Sequence, residues 1–478
     1  MRKTGLITTL ILLCFVAVSQ EKRVLSLQEC IDIAVENNLT VQRSELNLQS
    51  AQVNLMQAQA QRYPTLNANG NFGYNWGRGI DPTTNQFIDQ RINFNGVSAS
   101  TSVPIINGLQ VHNSIRQNKL NAEASEFDRQ KAINDISLNT ALNYVNVIFN
   151  KELLENARFQ LESSKQQLER TTFLVESGAL PLANKLQQES QVATNEVALI
   201  NAQNNLDLAV LTLKQGMLLP PGEEIDIIIP DVTVDEAEIG ETSIMELYNI
   251  ALENQPEIKS AELRVKSADV GLDVSKGAIY PTLSLNGSMS TNYSDAFQDV
   301  SVLSATPTGQ LNPTTFQLQD GTQVFEQEFD VQLESETVPL SRQYDNNLNT
   351  RFTLSLNVPI FNGFRTRSDI QRSKISLQQA EINRTEQKNI LYQTIESSYR
   401  NAVAAAKTYQ ASLKQVASLE ETYRAVENQY NNGAANFTDY QVATNNLFQA
   451  RTDLSRAKYD YIFRKKILEF YQGIPLTF

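Results

Sequence analysis

The sequence predicts a mixed α+β membrane protein in which long helical hairpins are joined to a few membrane-length β-strands. Three observations predict it. One unit is written twice along the 478-residue chain, each copy holds a 68-residue run without Gly or Pro, and a pair of alternating strands precedes each run.

The duplication is the first constraint, because an internal repeat defines an architecture. Leu27 to Leu39 (LQECIDIAVENNL) matches Met245 to Ile258 (MELYNIALENQPEI) at an offset of 217 residues, with Ala34 against Ala251. Arg62-Tyr63-Pro64-Thr65-Leu66 matches Ile279-Tyr280-Pro281-Thr282-Leu283 at the same offset. Val103-Pro104-Ile105-Ile106-Asn107-Gly108 then matches Val358-Pro359-Ile360-Phe361-Asn362-Gly363 at an offset of 255, as Gly178 matches Gly433. The single change of offset puts about 38 extra residues between Leu283 and Val358. A loop absorbs such an insertion at small entropic cost.

The uninterrupted runs are Gln110 to Ser177 and Arg365 to Asn432, rich in helix formers and bounded by Gly or Pro. At 1.5 Å per residue each is a helix about 100 Å long, which no compact domain accommodates. Shorter helices are expected over 27–62, 182–215, 244–278 and 437–470. Two of these in line equal one long helix, so the simplest packing stacks them beside it, as a coiled coil or helical tube.

After Tyr63-Pro64 the period changes from helical to alternating. Leu66, Ala68, Phe72, Tyr74 and Trp76 share one face, and Asn67, Asn69, Asn71 and Asn75 the other. In the second unit Leu283, Leu285, Met289 and Tyr293 oppose Asn and Ser residues; the returning strand sets Leu348, Phe352, Leu354, Leu356 and Val358 against Asn, Arg, Thr and Ser. Val97 to Val103 alternates more weakly. Such strands suit a half-buried soluble sheet or a tilted membrane crossing. The uncharged polar faces and the terminal aromatics Tyr63, Trp76, Tyr280 and Tyr293 favour the membrane, and no other strands are expected to form a second sheet. A membrane barrel must close and needs about eight strands or more. Four per chain do not suffice, whereas three chains supply twelve; eight from two chains would leave little room for a channel.

The remaining composition narrows the function. A formal net charge of −13 without a Lys/Arg cluster counts against nucleic acid. Arg2, Lys3, the apolar run Gly5 to Val18 and Ala17-Val18-Ser19 read as a secretory signal over residues 1–19. Cys14 follows Leu12-Leu13, which does not suit lipidation, and cleavage leaves Cys30 without a disulfide partner. The single histidine, His112, follows the first strand–helix turn and reads as structural, so no His-based triad or His-rich metal site is expected, and no cofactor motif is present. Gly77-Arg78-Gly79 lacks the lysine and helix of a phosphate loop. No enzyme is expected, for want of a convergent polar constellation. The domains expected are a first repeat over 20–216, a linker over 217–242, a second repeat over 243–472 with an enlarged outer loop at about 295–345, and a tail over 473–478. Asp295 to Glu336 holds eight carboxylates and no Lys or Arg. It reads as a solvated loop, with cation binding or partial cover of the mouth as alternatives. In the acidic linker, Ile225-Asp226-Ile227-Ile228-Ile229 is equally compatible with an added strand and a plain connection.

The duplicated helix–hairpin–long-helix unit, the paired Val-Pro-Ile-[Ile/Phe]-Asn-Gly turns and the helix-tip glycines resemble the TolC-like outer membrane efflux proteins. Leu27-x-x-Cys30-Ile31-x-x-Ala34-x-x-Asn37-Asn38 and Gly77-Arg78-Gly79-Ile80-Asp81-Pro82 are similar to Bacteroidetes-type members. The resemblance implies a homotrimer in a Gram-negative outer membrane, with a 12-stranded β-barrel, a periplasmic 12-helix α-barrel and an α/β belt. It further implies passive transport from an inner-membrane transporter through a periplasmic adaptor, in drug efflux or type I secretion. The competing reading is a structural or adhesive coiled-coil envelope protein without channel activity.

The same resemblance assigns the tips. Val175, Gly178, Leu180, Gly433 and Ala434 correspond to adaptor-contact turns, although a plain helix reversal also explains the glycines. Asp439 matches one acidic position of the family's periplasmic constriction, and Val442 replaces the second. Tyr430 matches a linking tyrosine, but Ala435 stands in place of the expected arginine and Asn184 in place of its acidic partner. Asp439 is therefore the candidate gate residue, with a solvated surface carboxylate as the alternative.

Overall fold

The computed structural model describes residues 22–80, 85, 87–89, 91–230 and 243–476. The signal segment, Asp81-Pro82, the acidic end of the linker and Phe478 lie outside the described residues. In chain order the elements are β1 (Arg23–Leu25), α1 (Leu27–Asn37), α2 (Leu39–Ala60), β2 (Thr65–Asn75), β3 (Arg78–Ile80), β4 (Phe87–Asp89), β5 (Ile92–Asn107), α3 (Gln110–Glu176) and α4 (Leu182–Gly216). Then follow β6 (Ile225–Ile227), α5 (Ile244–Asn254), α6 (Pro256–Gly277), β7 (Thr282–Ser294), β8 (Gln298–Gln317), β9 (Gln323–Thr337), α7 (Leu340–Asn346), β10 (Asn349–Asn357), α8 (Arg365–Asn431) and α9 (Phe437–Tyr471). The chain forms two compact units, each drawing on both halves of the sequence.

Among the described residues, the helical unit comprises 22–53, 118–230, 243–268 and 376–476. Its main core gathers around the short parallel pair β1–β6, where Leu25, Tyr144, Ile148, Leu213, Met217 and Tyr461 are almost fully buried. The Tyr144 hydroxyl donates to the Ile228 carbonyl at 2.5 Å, while Lys151 pairs with Asp226. Ile225 to Ile227 thus forms a strand rather than a plain connection. Burial pushes the Cys30 thiol up to about 12, so this cysteine packs as a small hydrophobe.

The helices expected over 27–62 and 244–278 are each broken once. Ser26 opens α1 with a reciprocal capping box to Glu29, and Ser243 caps α5 through the Glu246 amide. Asn38 and Gln255 then take extended conformations. The Asn38 side chain accepts from the Thr40 amide at 2.8 Å and starts α2. Pro256 restricts Gln255 in the same way that any proline restricts the residue before it.

The strand unit comprises Asn54–Gln117 and Asp269–Ile375. Its principal sheet is four-stranded and antiparallel, in the order β10-β7-β5-β2. β5 is longer than the expected 97–103, because Asn93 and Phe94 continue the ladder against β2 and β7. The Asn93 amide also donates to Asp295 Oδ1 at 2.8 Å, at the end of β7.

The inserted segment corrects an expectation. Against the expectation of no further strands, β8 and β9 pair as a separate two-stranded sheet, and α7 follows. Another small pair, β3–β4, holds Arg78 to Ile80. Further strands therefore exist beyond the four expected. Prolines and three register shifts interrupt the alternation of β8, which hides it from a periodicity test.

Candidate channel wall and helix tips

Register decides which residues of the strand unit share a face. Leu66 stands opposite Thr101, and Ala68 opposite Ala99; Ala99 in turn faces Met289, and Leu285 faces Leu354. Followed across the ladder, this places Leu66, Phe72, Tyr74, Leu283, Leu285, Met289, Tyr293, Phe352, Leu354 and Leu356 on one side. Of these only Leu283 and Tyr293 are half-buried; the others are 40% to 79% exposed. Trp76 lies just beyond β2, also exposed, its ring 5.8 Å from Tyr74. Asn95, Thr101 and Thr291 share this side, but so many exposed apolar residues on one face are what a surface in contact with lipid or another chain requires.

The opposite face is a lattice of amides and hydroxyls. Ser102 Oγ donates to Asn286 Oδ1 at 2.8 Å, and Asn286 Nδ2 donates to Ser355 Oγ at 3.1 Å, joining three strands. Gly73 leaves room for the Phe94 ring, whose nearest atom would be 2.9 Å from a Cβ there. Phe94 is a large apolar residue on this polar face that alternation did not single out. Its signal was the glycine opposite it.

The two hairpins of the sheet also share a register. Leu66 opposite Thr101 becomes, under the offsets of 217 and 255, Leu283 opposite Leu356, and that pair is observed. Within the described sheet, β2 and β10 each pair on one side only.

In the helical unit, α3 and α8 end in the same way. Gly178 and Gly433 adopt φ of +75° and +74°. The amides of Ala179 and Ala434 reach back to the carbonyls of Leu174 and Gln429, each at 2.8 Å. These are Schellman closures, which need a residue with φ > 0 and favour glycine. Val175 and Leu180 are half-buried and Ala434 is exposed. Asn436 caps α9 by accepting from the Asp439 amide at 2.9 Å, so the Asp439 carboxylate sits in the first turn, where the helix dipole favours negative charge. Asp439 and Val442 face solvent in the single chain.

Tyr430 sits in an aromatic cluster of the single chain. Its ring stacks on Tyr440 with centroids 5.0 Å apart and lies 6.2 Å from Phe437. Its hydroxyl is buried without a hydrogen-bond partner. The neighbouring Tyr423 donates to Glu427 at 2.8 Å. Burial and its hydrogen bonds with Tyr440 and Glu427 raise its pKa. Asn184, half-buried, donates its amide to the Pro181 carbonyl at 3.1 Å.

Sequence reasoning missed the packing beneath the tips. Ser164, Thr171, Gln188 and Asn195 are all buried, and Gln188 donates to the Ser164 carbonyl at 3.0 Å. Gln441 bonds Gln191 across from the second half of the chain. Both buried pairs, 164/171 and 188/195, are spaced by seven, a polar heptad legible in hindsight. Among the described residues, no helix is long and apolar enough to cross a membrane, and no cluster of potential metal ligands is found.

Comparison with known proteins agrees with this geometry. The chain is 24% identical over 268 residues to the probable outer membrane lipoprotein SilC of Salmonella typhimurium, covering 54% of each. It is 22% identical over 331 residues to the outer membrane protein TolC of Escherichia coli, covering 69% of this chain and 59% of TolC. The alignments thus span little more than half the length of these relatives. Its fold is similar to that of CusC, with a TM-score of 0.74 at 17% identity over 94% of this chain and 92% of CusC. It is also similar to VceC from Vibrio cholerae, with a TM-score of 0.72 at 15% identity over 94% and 97%. The profile of the outer membrane efflux protein family matches residues 30–217 and 247–469. The chain therefore belongs to the outer membrane efflux protein family, as a TolC-like protein of the Gram-negative outer membrane.

Proposed function

We propose that three copies of this chain form a trimeric outer membrane channel-tunnel, a passive conduit that receives substrates from an inner-membrane transporter through a periplasmic adaptor. The carrying observation is the sheet, apolar on one face and polar on the other, with both outer edges unpaired among the described residues. An open edge in lipid leaves backbone amides unsatisfied, so the edges must meet. Three sheets of four strands supply the twelve of a water-filled barrel, with Asn and Ser inside and the apolar residues against lipid.

The repeat also specifies how the edges join. The β5–β7 pairing inside the chain is the template for pairing β10 with β2 of the next copy. Ser102 opposite Asn286 translates, under the same offsets, to Asn357 opposite Asn69 of the next copy. The bulge that skips Ile105 translates to Ile360, which is 95% exposed in the single chain.

On this reading the exposed tips around Gly178 and Gly433 contact the adaptor. Asp439 lies at the periplasmic constriction with Val442, joined by Tyr430 before the Gly433 turn and Asn184 after the Gly178 turn. The test is a planar-bilayer recording of the purified protein together with oxidation of the N69C/N357C double variant. Stable conductance and disulfide-linked copies are expected. A protein without conductance that runs as a monomer would instead support the structural coiled-coil reading.

A further inference from the structure

The β8–β9 hairpin is a second amphipathic sheet that the channel reading does not use. Its register sets Val302 against Leu333 and Pro307 against Phe329. One face therefore carries Val300, Val302, Leu311, Phe325, Phe329 and Leu333, all 50% to 62% exposed. The other face of β9 carries Glu326, Glu328, Asp330, Glu334 and Glu336 at alternating positions. No Lys or Arg lies between Asp295 and Glu336 to neutralise them; Asp299, on β8, pairs with Arg342 at 3.6 Å.

A lone two-stranded hairpin is marginal in water, and like charges along one strand weaken it further. Its stability must come from covering the apolar face. Three features select the cover. Anionic lipid headgroups are disfavoured, because the hairpin brings only negative charge to that surface. Edge-to-edge addition is blunted by Pro307 and Pro313, which offer no amide, and by the register shifts of β8. The hairpin also leaves the principal sheet directly after β7 and returns through α7 to β10, the strand whose free edge awaits another copy. Barrel closure would accordingly bring three hairpins to one rim.

We infer that the apolar faces of the β8–β9 hairpins from three copies of this chain pack together on the threefold axis and cover the outer mouth of the conduit. This rests on the trimer reading above. Of the threefold arrangements, convergence on the axis lets apolar face meet apolar face while all carboxylates stay in water; head-to-tail stacking would bury acidic faces. The hairpins then form a retractable cover, stabilised by modest apolar burial and opposed by the repulsion of their outer faces.

Single cysteines on the two faces test it, since native Cys30 is buried. Under mild oxidation in intact outer membranes, F329C should give disulfide-linked pairs and E328C should not, with N69C/N357C linking copies in parallel. If N69C/N357C links while F329C does not, or if E328C links as readily, the hairpin proposal is overturned and the barrel stands. If N69C/N357C fails to link and the protein is monomeric by light scattering, the barrel reading falls and takes the proposal with it. Replacing residues 303–332 by an Asn-Gly turn, which preserves the Val302–Leu333 pair, should raise single-channel conductance at least twofold. Unchanged conductance would overturn the cover.

Discussion

Gly108 and Gly277 approach so closely that neither tolerates a side chain. A Cβ on Gly108 would lie 2.2 Å from the Gly277 carbonyl oxygen, and one on Gly277 would lie 2.6 Å from the Gly108 oxygen. The contact locks the turn after β5 against the end of α6 within the strand unit. Gly363, which occupies the equivalent turn after β10, has nothing within 4 Å of its Cβ position.

That difference yields the first prediction. Both glycines have positive φ, +58° and +64°, so alanine at either costs about 1–2 kcal/mol of backbone strain. G108A adds a backbone clash, and its total should exceed about 3 kcal/mol. Thermal unfolding of the two variants as isolated chains in detergent should separate them clearly; equal losses would mean that the close approach is not maintained.

Tyr144 ties the helical core to the short parallel pair. Y144F removes its donor from the Ile228 carbonyl and leaves that acceptor short of a partner. A loss of about 1–3 kcal/mol is expected, with the far-ultraviolet helical signal unchanged at low temperature. A loss below about 0.5 kcal/mol would show that the hydroxyl contributes little.

Acid should loosen the same region. Burial alone would raise the Asp226 pKa, but the Lys151 hydrogen bond, the Ile227 amide and the attraction of Lys151 and Lys22 outweigh it and hold it below 3.8. A depressed carboxylate contributes stability that is present above its unfolded pKa and is lost as pH falls through the folded one. D226N should therefore be less stable than wild type at neutral pH, with the gap closing below about pH 4.

Glu257, at the start of α6, has the opposite sign. Burial raises its pKa above 4.5, helped by Asp135 and opposed by its own backbone and Lys131. The folded form binds the proton more tightly, so stability falls as pH rises from 4.5 through the folded pKa and stays lower at neutrality. E257Q should raise the melting temperature at pH 7 and leave it little changed at pH 4. A destabilising E257Q at pH 7 would contradict this assignment.

Asp439 carries the functional prediction. In the proposed trimer, three Asp439 carboxylates at one constriction attract cations and resist anions. D439A should lower cation selectivity and weaken block by divalent ions in single-channel recordings. Unchanged values would identify Asp439 as a solvated carboxylate that merely favours the α9 N-terminus.

Much of this was readable before any coordinates. The Gly/Pro-free runs give α3 and α8 to within one residue at their C-terminal ends, because helix propensity summed over 67 residues is overwhelming. Period-two alternation assigns the apolar-face residues of β2, β7 and β10, because side-chain direction in a strand is purely local. At the tips, the glycines announce the Schellman turns. Tyr430 does not announce its ring contacts: Phe437 and Tyr440, seven and ten residues on, reach it only because the chain reverses at Gly433.

By itself, then, the sequence determined the two repeated units, their long helices and the two-faced character of four strands. All three follow from contacts between residues close along the chain. Tertiary structure decided the register across the sheet, the β8–β9 pairing and the glycine contact. Each depends on which distant backbone supplies or blocks a partner. Gly108 and Gly363 are interchangeable in sequence, and only the chain packed beside Gly108 makes them different.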